Sequence, residues 1–559
     1  MKMKNITGTG FFLVLFCLIL FTLTACDLFG GFVGASTDET KPETKTETKA
    51  ETESEKETET KSEYSVATEV FATFADLKAN ADLFRGQLPC IRSTKGYHAE
   101  QDGGAATYRI TADKPEGISE MLARNCYAQI VTAKTDTSVS VKQFGAYGNG
   151  EKDDTAALMR GIRYAAGNGL TLEIPSGEYK TLNTLELGGI NVRCENAKIR
   201  YTGTTTSAPA ISVKNDVNLY GTLSVWYADN LVVNSDERCA LLFGNYRTGE
   251  GSHNCYVESI EVSGGHKNST GITVTGDSSD IVLETITVPE GTNLSRAILF
   301  HWGNADDYKV KDPNDRTQGI FPVDGAAPTK HPHGIRVKKL VCTGLDPTGK
   351  YGDAAAVYIA AAYDVTFDEI TVSSVRAIVT VTGGDCGMEY ASPEEKAHGM
   401  KGLKFGKVTA TDIRSNGFYF TRKSDYLGDT GFFCALEFEE LDVTNCPLVV
   451  STVGIGSLKI GTLHLRNCLG TAVRADGALG TGGVSGAIEI GTVAIERGCG
   501  NAQASLIWVA GVDCLNIGTV RLTGATYACL ISYDSACGGI LLGEVMPTES
   551  TIGAERQKR

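Results

Sequence analysis

Leu458–Leu465 reads LKIGTLHL, Ile488–Ile495 reads IEIGTVAI, Leu515–Leu522 reads LNIGTVRL, and Ile540–Met546 continues the series with ILLGEVM. The segments begin at 458, 488, 515 and 540, so the steps between them are 30, 27 and 25 residues. Self-similarity near this period marks a solenoid, in which each repeat buries its face only against its neighbours. Positions one, three, six and eight of the octet are apolar, and a glycine holds position four. Alternation of this kind belongs to strands. The glycine lets the chain turn a corner without a Cβ, and the shift of phase across it is what two short strands on adjacent faces require. Looser copies begin at Cys255, Ile281, Ile335, Val365, Leu403 and Leu436, and further apolar strands such as ASLIWV at 504–509 and YACLIS at 527–532 lie between octets. Three short strands per turn of about 25 to 30 residues is the plan of a parallel β-helix, and the leucine and asparagine spacing of a leucine-rich repeat is absent. Between Val141 and Pro547 there is room for roughly a dozen coils.

Upstream, Val141–Tyr179 reads VKQFGAYGNGEKDDTAALMRGIRYAAGNGLTLEIPSGEY. A short apolar strand breaks into a loop at Gly145, Gly148 and Gly150, and a helix signal follows. Asp153 and Asp154 stand where short carboxylates accept the free N–H groups of a first helical turn. Leu158, Ile162 and Ala165 form one apolar stripe, and Gly167 and Gly169 end the helix. The ordered motif FGAYGNGEKDDTAAL followed by LEIPSGEY resembles the opening of the pectate-lyase-like superfamily, which includes rhamnogalacturonase and epimerase-like proteins. The resemblance implies a right-handed parallel β-helix, all-β apart from an N-terminal helix that caps the first coil, and action on polysaccharides by groups that lie elsewhere in the chain.

Met1–Cys26 carries Lys2 and Lys4, an apolar run from Phe11 to Leu23 too short for a comfortable membrane span, and then Leu23-Thr24-Ala25-Cys26. That ending resembles the bacterial lipobox and implies acylation of Cys26, a lipid anchor in the cell membrane, and exposure on the extracellular side, or in the periplasm of a Gram-negative cell. Residues 27–65 are expected to form a disordered linker. Asp38–Tyr64 within it is a Thr/Glu/Lys run with almost nothing to bury. This run holds about a third of the chain's formal charge of −15, so the remainder is only mildly acidic and a nucleic-acid partner is not expected. Residues 66–135 read as a small module. Its stretch from Gly96-Tyr97-His98 through Asp102-Gly103-Gly104 to Tyr108 resembles a region that precedes the β-helix in phage tailspike proteins, which implies a homotrimer. His98 and Asp102 are explained by a strand–turn–strand corner. The solenoid is expected over 136–548, with a disordered tail at 549–559.

Two of the 16 cysteines, Cys17 and Cys26, fall in the export segment. Cys446 and Cys468 share one register, ten residues after their octet starts. Stacking at about 4.8 Å exceeds the usual disulfide Cβ separation of about 3.8 Å, so an apolar thiol ladder is expected. Zinc is not expected without a C-x-x-C pair.

The longest departure from the repeat lies between Ile281 and Ile335, and an insert in a regular solenoid is the first place to look for function. It holds His301, Trp302, Asp306 and Asp307, then His331 and His333, with Arg336 and Lys338 just beyond. These are the residue types that move protons at a sugar ring. In a carbohydrate cleft Asp306 or Asp307 would be the acid or base and His333 the proton carrier. Arg336 would join them at the reacting centre, with Arg336 or Lys338 binding a uronate carboxylate; His301, Trp302 and His331 would contact substrate. A loop that merely covers one coil is the competing account. Gly334–Lys338, GIRVK, resembles the Gly-Ile-Arg-Ile-Lys element of polygalacturonase-type hydrolases, but that family's partner motifs do not precede it. A lyase would imply Ca2+ held by converging carboxylates. Asp277, Asp280, Asp353 and Asp385 flank strands, where turn chemistry explains them better. Trp226, Tyr227, Trp302, Tyr358 and Tyr419 are candidate stacking platforms. The expectation is a lipid-anchored β-helix that binds and cleaves an extracellular polysaccharide, as a lyase or glycoside hydrolase. The alternative is a non-catalytic surface adhesin or glycan-binding solenoid.

Overall fold

The octets found in the sequence are lateral neighbours in space. In the computed structural model, Cys255 pairs Ile281, which pairs Ile335, and the row continues through Val365, Leu403, Leu436, Leu458, Ile488, Leu515 and Ile540. Ile190 and Val217 extend the same row toward the N-terminus, although their segments are too divergent to read as repeats. The structure describes residues 69–204, 208–228, 238–265, 269–310, 320–345, 354–383, 388–422, 434–477 and 485–559. Cys26, the linker, Asp353 and Asp385 lie outside them.

Among the described residues the solenoid consists of two parallel sheets, of 16 and 13 strands, that alternate along the chain. The larger carries the octets as long strands such as Ser457–Arg466 and Val512–Thr523; the smaller carries the connecting apolar strands such as Ser505–Ala510. Each long strand bends at position four without leaving its sheet, and there the ladder skips a residue, as at Gly461 between the pairs Phe438↔Ile460 and Glu440↔Thr462. The two octet faces expected as separate strands are therefore one bent strand. Glycine is needed there because of close approach: a Cβ on Gly491 would lie 2.6 Å from the Gly461 carbonyl oxygen, and one on Gly518 2.5 Å from that of Gly491. The inward positions form one continuous apolar core. Outward positions alternate in charge from coil to coil. Lys339, Glu369, Lys407 and Glu440 make one row, and Lys404, Glu437, Lys459 and Glu489 another. Opposite charges directly across a ladder add about 0.2–1 kcal/mol a pair and reject a slipped register.

The helix Thr155–Asn168 buries Leu158, Ile162 and Ala165 over the first coil and ends at Gly169 in the left-handed conformation. Its two leading aspartates divide their work. Asp153 Oδ1 accepts from the Thr155 N–H at 3.0 Å, whereas buried Asp154 turns back to accept from Tyr147 N at 2.6 Å and Gly148 N at 2.9 Å. Asp154 thus pins the glycine loop rather than capping the helix, and burial raises its pKa. Ahead of the solenoid, Val70–Ile130 forms a five-stranded sheet with a short helix, Phe74–Ala79. Asp102 accepts four backbone N–H groups, from Tyr97, His98, Ala99 and Gly104. Burial raises its pKa, and these donors outweigh that to hold the carboxyl below its usual range. At the other end the expected tail is instead a strand: Thr551–Lys558 pairs with Thr526–Tyr533 as the last strand of the smaller sheet. Its polar composition hid it, because a terminal strand has a neighbour on one side only. Among the described residues no helix is long and apolar enough to cross a membrane.

Candidate functional site

The turn that returns the chain from the smaller sheet to the larger one is the variable part of the coil. Between Thr270–Thr275 and Ser279–Val288 it spans three residues, Gly276 to Ser278; one coil later, between Arg296–His301 and His333–Thr343, it runs from Trp302 to Pro332. The insert is thus an expansion of this one turn. It carries a three-residue 3-10 turn, Ala305–Asp307, and an antiparallel ribbon of Tyr308–Val310 with Ile320–Pro322. Glycines let the turns of three coils stack: a Cβ on Gly303 would sit 2.6 Å from Gly276 Cα and 2.8 Å from Gly249 Cα. Above this stack lies an open cleft of about 650 Å³. Lys214, Glu250, His253 and Asp277 line it from the preceding coils, and Asp307 and Lys330 from the insert.

A hydrogen-bonded string runs into this cleft. His253 Nδ1 lies 2.9 Å from Ser279 Oγ, and Ser279 Oγ donates to Asp280 Oδ2 at 2.9 Å. A carboxylate only accepts, so the single hydroxyl proton of Ser279 is committed to Asp280. The serine oxygen must then accept from His253 Nδ1–H, which leaves the lone pair of the neutral ring on Nε2. Strand pairing sets the string, because His253 is directly opposite Ser279 in the ladder. Lys330 Nζ lies 3.8 Å from Asp277 Oδ2, both groups roughly half exposed. The cleft therefore holds a positioned base, two ammonium groups and several carboxylates.

Of the eight side chains expected from the sequence, Asp307 lines the cleft and the other seven do not. Asp307 Oδ2 accepts from Asn304 Nδ2 at 2.9 Å and from Ala327 N at 3.1 Å, so it braces the insert. Asp306 points elsewhere and pairs with Arg247 at 3.4 Å. Trp302 is 1% exposed and packs among Tyr246 and Tyr308, with no face for a sugar. His301 is buried against Tyr246, with Nδ1 3.0 Å from the Trp302 carbonyl oxygen. His331 is fully buried, its Nδ1 3.2 Å from Glu395 Oε2. Glu395 belongs to the helix Pro393–His398, which expands the same turn in a later coil and is tied to the insert again by Thr329 N to Tyr390 O at 3.1 Å. His333 stacks on Tyr363, which stacks on His398, with centroids 4.8 and 4.7 Å apart. Burial first, and then Glu395, push the Tyr363 pKa up to about 12. Arg336 and Lys338 face outward on the larger sheet, held by Asp368 at 2.9 Å and Glu284 at 2.5 Å. Sequence proximity grouped these residues, and the strand period then sent them to different faces. Asp280, expected in a turn, is the second residue of the strand Ser279–Val288, at a positive φ, and its hydrogen bond to Ser279 was not legible. Among the proposed platforms, Tyr227, Trp302 and Tyr358 are buried, and the Arg200 guanidinium covers the Trp226 ring at 5.2 Å.

No protein-family model matches the chain, and no curated protein does. Solved structures show distant similarity. The surface protein and adhesin PfbA of Streptococcus pneumoniae is 12% identical, with 76% of this chain and 100% of that one covered and a TM-score of 0.43. A hyperthermoactive exopolygalacturonase from Thermotoga maritima is 13% identical, with 70% and 92% covered and a TM-score of 0.41. The A-module of the Azotobacter vinelandii mannuronan C-5 epimerase AlgE6 is 13% identical, with 74% and 98% covered and a TM-score of 0.37. The two parallel sheets that alternate along the chain make it a right-handed parallel β-helix.

Proposed function

We propose that this protein binds and cleaves an extracellular polysaccharide in the cleft beside the 302–332 insert, with His253 Nε2 as the proton acceptor. The observation that carries the reading is the His253–Ser279–Asp280 string, which orients the ring and, in its neutral form, leaves the lone pair on the outer nitrogen. Such a base serves two reactions. It can take the proton beside a uronate carboxylate that Lys214 or Lys330 neutralises, giving elimination. It can equally activate a water, with Glu250 or Asp277 as the carboxyl that serves the leaving oxygen, giving hydrolysis. The Leu23–Cys26 motif supports export and a lipid anchor at Cys26, and the tailspike-like stretch from Gly96 supports a homotrimer. The test is incubation of the purified protein with a panel of acidic and neutral polysaccharides. New reducing ends with ultraviolet-absorbing unsaturated ends identify a lyase, and reducing ends alone a hydrolase. Binding without products would remove the catalytic claim and leave the glycan-binding or adhesin role. One observation favours that second reading: Asp307, the cleft carboxylate closest to the sequence expectation, spends its Oδ2 on two bonds that brace the insert.

A further inference from the structure

We propose that Cys468 and Cys499 are a peroxide-oxidisable pair that closes a disulfide between two successive coils. Both are free thiols in turns just beyond the long strands Ser457–Arg466 and Ser485–Ile495. Gly500 N donates to Cys468 O at 2.9 Å, which sets Cys468 beside Cys499 on the next coil, just past the end of the strand ladder. Lateral neighbours have Cα atoms about 4.8 Å apart, inside the roughly 4.4–6.8 Å that a disulfide spans. The Cβ atoms must close by only about 1 Å, and the segments concerned are turns. The Cys468 N–H points not at a carbonyl but at Cys499 Sγ, 3.4 Å away, while the Cys468 thiol donates to the Arg466 carbonyl at 3.3 Å.

These contacts divide the roles. Cys468, by its side chain and by the N–H it aims at Cys499 Sγ, favours a thiolate on Cys499 and, although burial opposes it, lowers that pKa to about 7, while Cys468 itself is pushed up. Cys499 is therefore the nucleophile and Cys468 the resolving thiol. The Cys499 thiolate attacks one oxygen of hydrogen peroxide; an S–O bond forms, the O–O bond breaks, and hydroxide leaves and takes up the proton the thiol had released. Cys468 sulfur then attacks the sulfenic sulfur; an S–S bond forms, the S–O bond breaks, and the hydroxyl leaves as water with the Cys468 proton. Two thiols and one peroxide give one disulfide and two waters. Both residues are 2% exposed, which admits a small peroxide in preference to a bulky disulfide oxidant. Cys446, on the preceding coil, and Cys468 each donate to a backbone carbonyl at 3.3 Å, of Leu448 and Arg466, whereas Cys499 Sγ accepts the Cys468 N–H.

The test treats the reduced full chain with hydrogen peroxide and maps peptides without reduction. The expected product is the 468–499 cross-link, with Cys446 still open to alkylation after denaturation. Cys468→Ser should instead leave a sulfenic acid on Cys499 that dimedone, added with denaturant after the peroxide step, traps. Cys499→Ser should give no cross-link. The proposal is overturned by a 446–468 cross-link, by no cross-link in the wild type, or by a Cys468→Ser protein in which dimedone does not label Cys499.

Discussion

Replacing Ser279 with Ala tests the cleft chemistry at its hinge. Ser279 Oγ is both the acceptor for His253 Nδ1 and the donor to Asp280, at 2.9 Å in each case, so the substitution cuts the string at both bonds. A hydrogen bond assisted by a charged partner contributes about 1.5–3 kcal/mol. At about 1.4 kcal/mol per tenfold, that pins the Nδ1–H tautomer by roughly ten- to more than a hundredfold. Without Ser279 the ring loses this bias and its fixed orientation. The prediction separates into a structural and a kinetic part. Nitrogen chemical shifts of the histidine rings should show one neutral tautomer for His253 in the wild type, with Nε2 unprotonated, and a mixture in Ser279→Ala. On a cleaved polysaccharide, His253→Ala should lose the contribution of a positioned general base, about 10²–10⁴-fold in kcat. Ser279→Ala should lose at least about tenfold in kcat with KM little changed, since the sugar contacts remain. Stability should fall by only about 1 kcal/mol, because His253 is partly exposed and water replaces the serine. A wild-type ring protonated on Nε2, or a Ser279→Ala protein with unaltered tautomer and kcat, refutes the reasoning.

Gly303→Ala forces a methyl to within 3 Å of three backbone atoms, Gly276 Cα, Gly249 Cα and Gly276 N, and should destabilise the stacked turns by about 1–3 kcal/mol or more, seen as selective loss of amide-exchange protection in 302–332. Asp154→Asn keeps one acceptor and turns an NH₂ toward a backbone N–H, so chemical denaturation should show a loss of about 1–3 kcal/mol. Lys407→Glu sets a third acid between Glu369 and Glu440; the expected loss of about 1 kcal/mol at low salt should shrink at high salt, and a salt-independent loss would exclude charge as its cause. Arg336→Ala removes an exposed ion pair on the sheet face and should leave stability within about 0.5 kcal/mol and glycan binding unchanged, whereas Lys330→Ala should weaken binding.

The octet period, its apolar alternation and the capping helix were legible in the chain because each is a local pattern repeated many times. The solenoid follows from them: a strand with one apolar face has nowhere to bury it except against the next copy. What a linear pattern does not carry is the path of the coil in between. Glycine in position four reads as a corner, yet only the stacked backbone shows that the carbonyl of the previous coil, rather than a positive φ, excludes a Cβ there. Thr551–Lys558 looks like a tail because its neighbour, Thr526–Tyr533, supplies the pairing that its own composition does not advertise.

The candidate site divides in the same way. The sequence located the insert between Ile281 and Ile335 from its length alone, and the cleft lies beside it. Which side chains face that cleft was decided by lateral stacking. His253 and Ser279 are 26 residues apart and become neighbours through ladder register, while His331 and His333, two residues apart, are separated by burial. A parallel β-helix brings together residues one coil apart and parts those adjacent in the chain. Fold, a sum over many similar turns, could therefore be read from the sequence; the site, set by single side chains meeting across coils, required the tertiary structure.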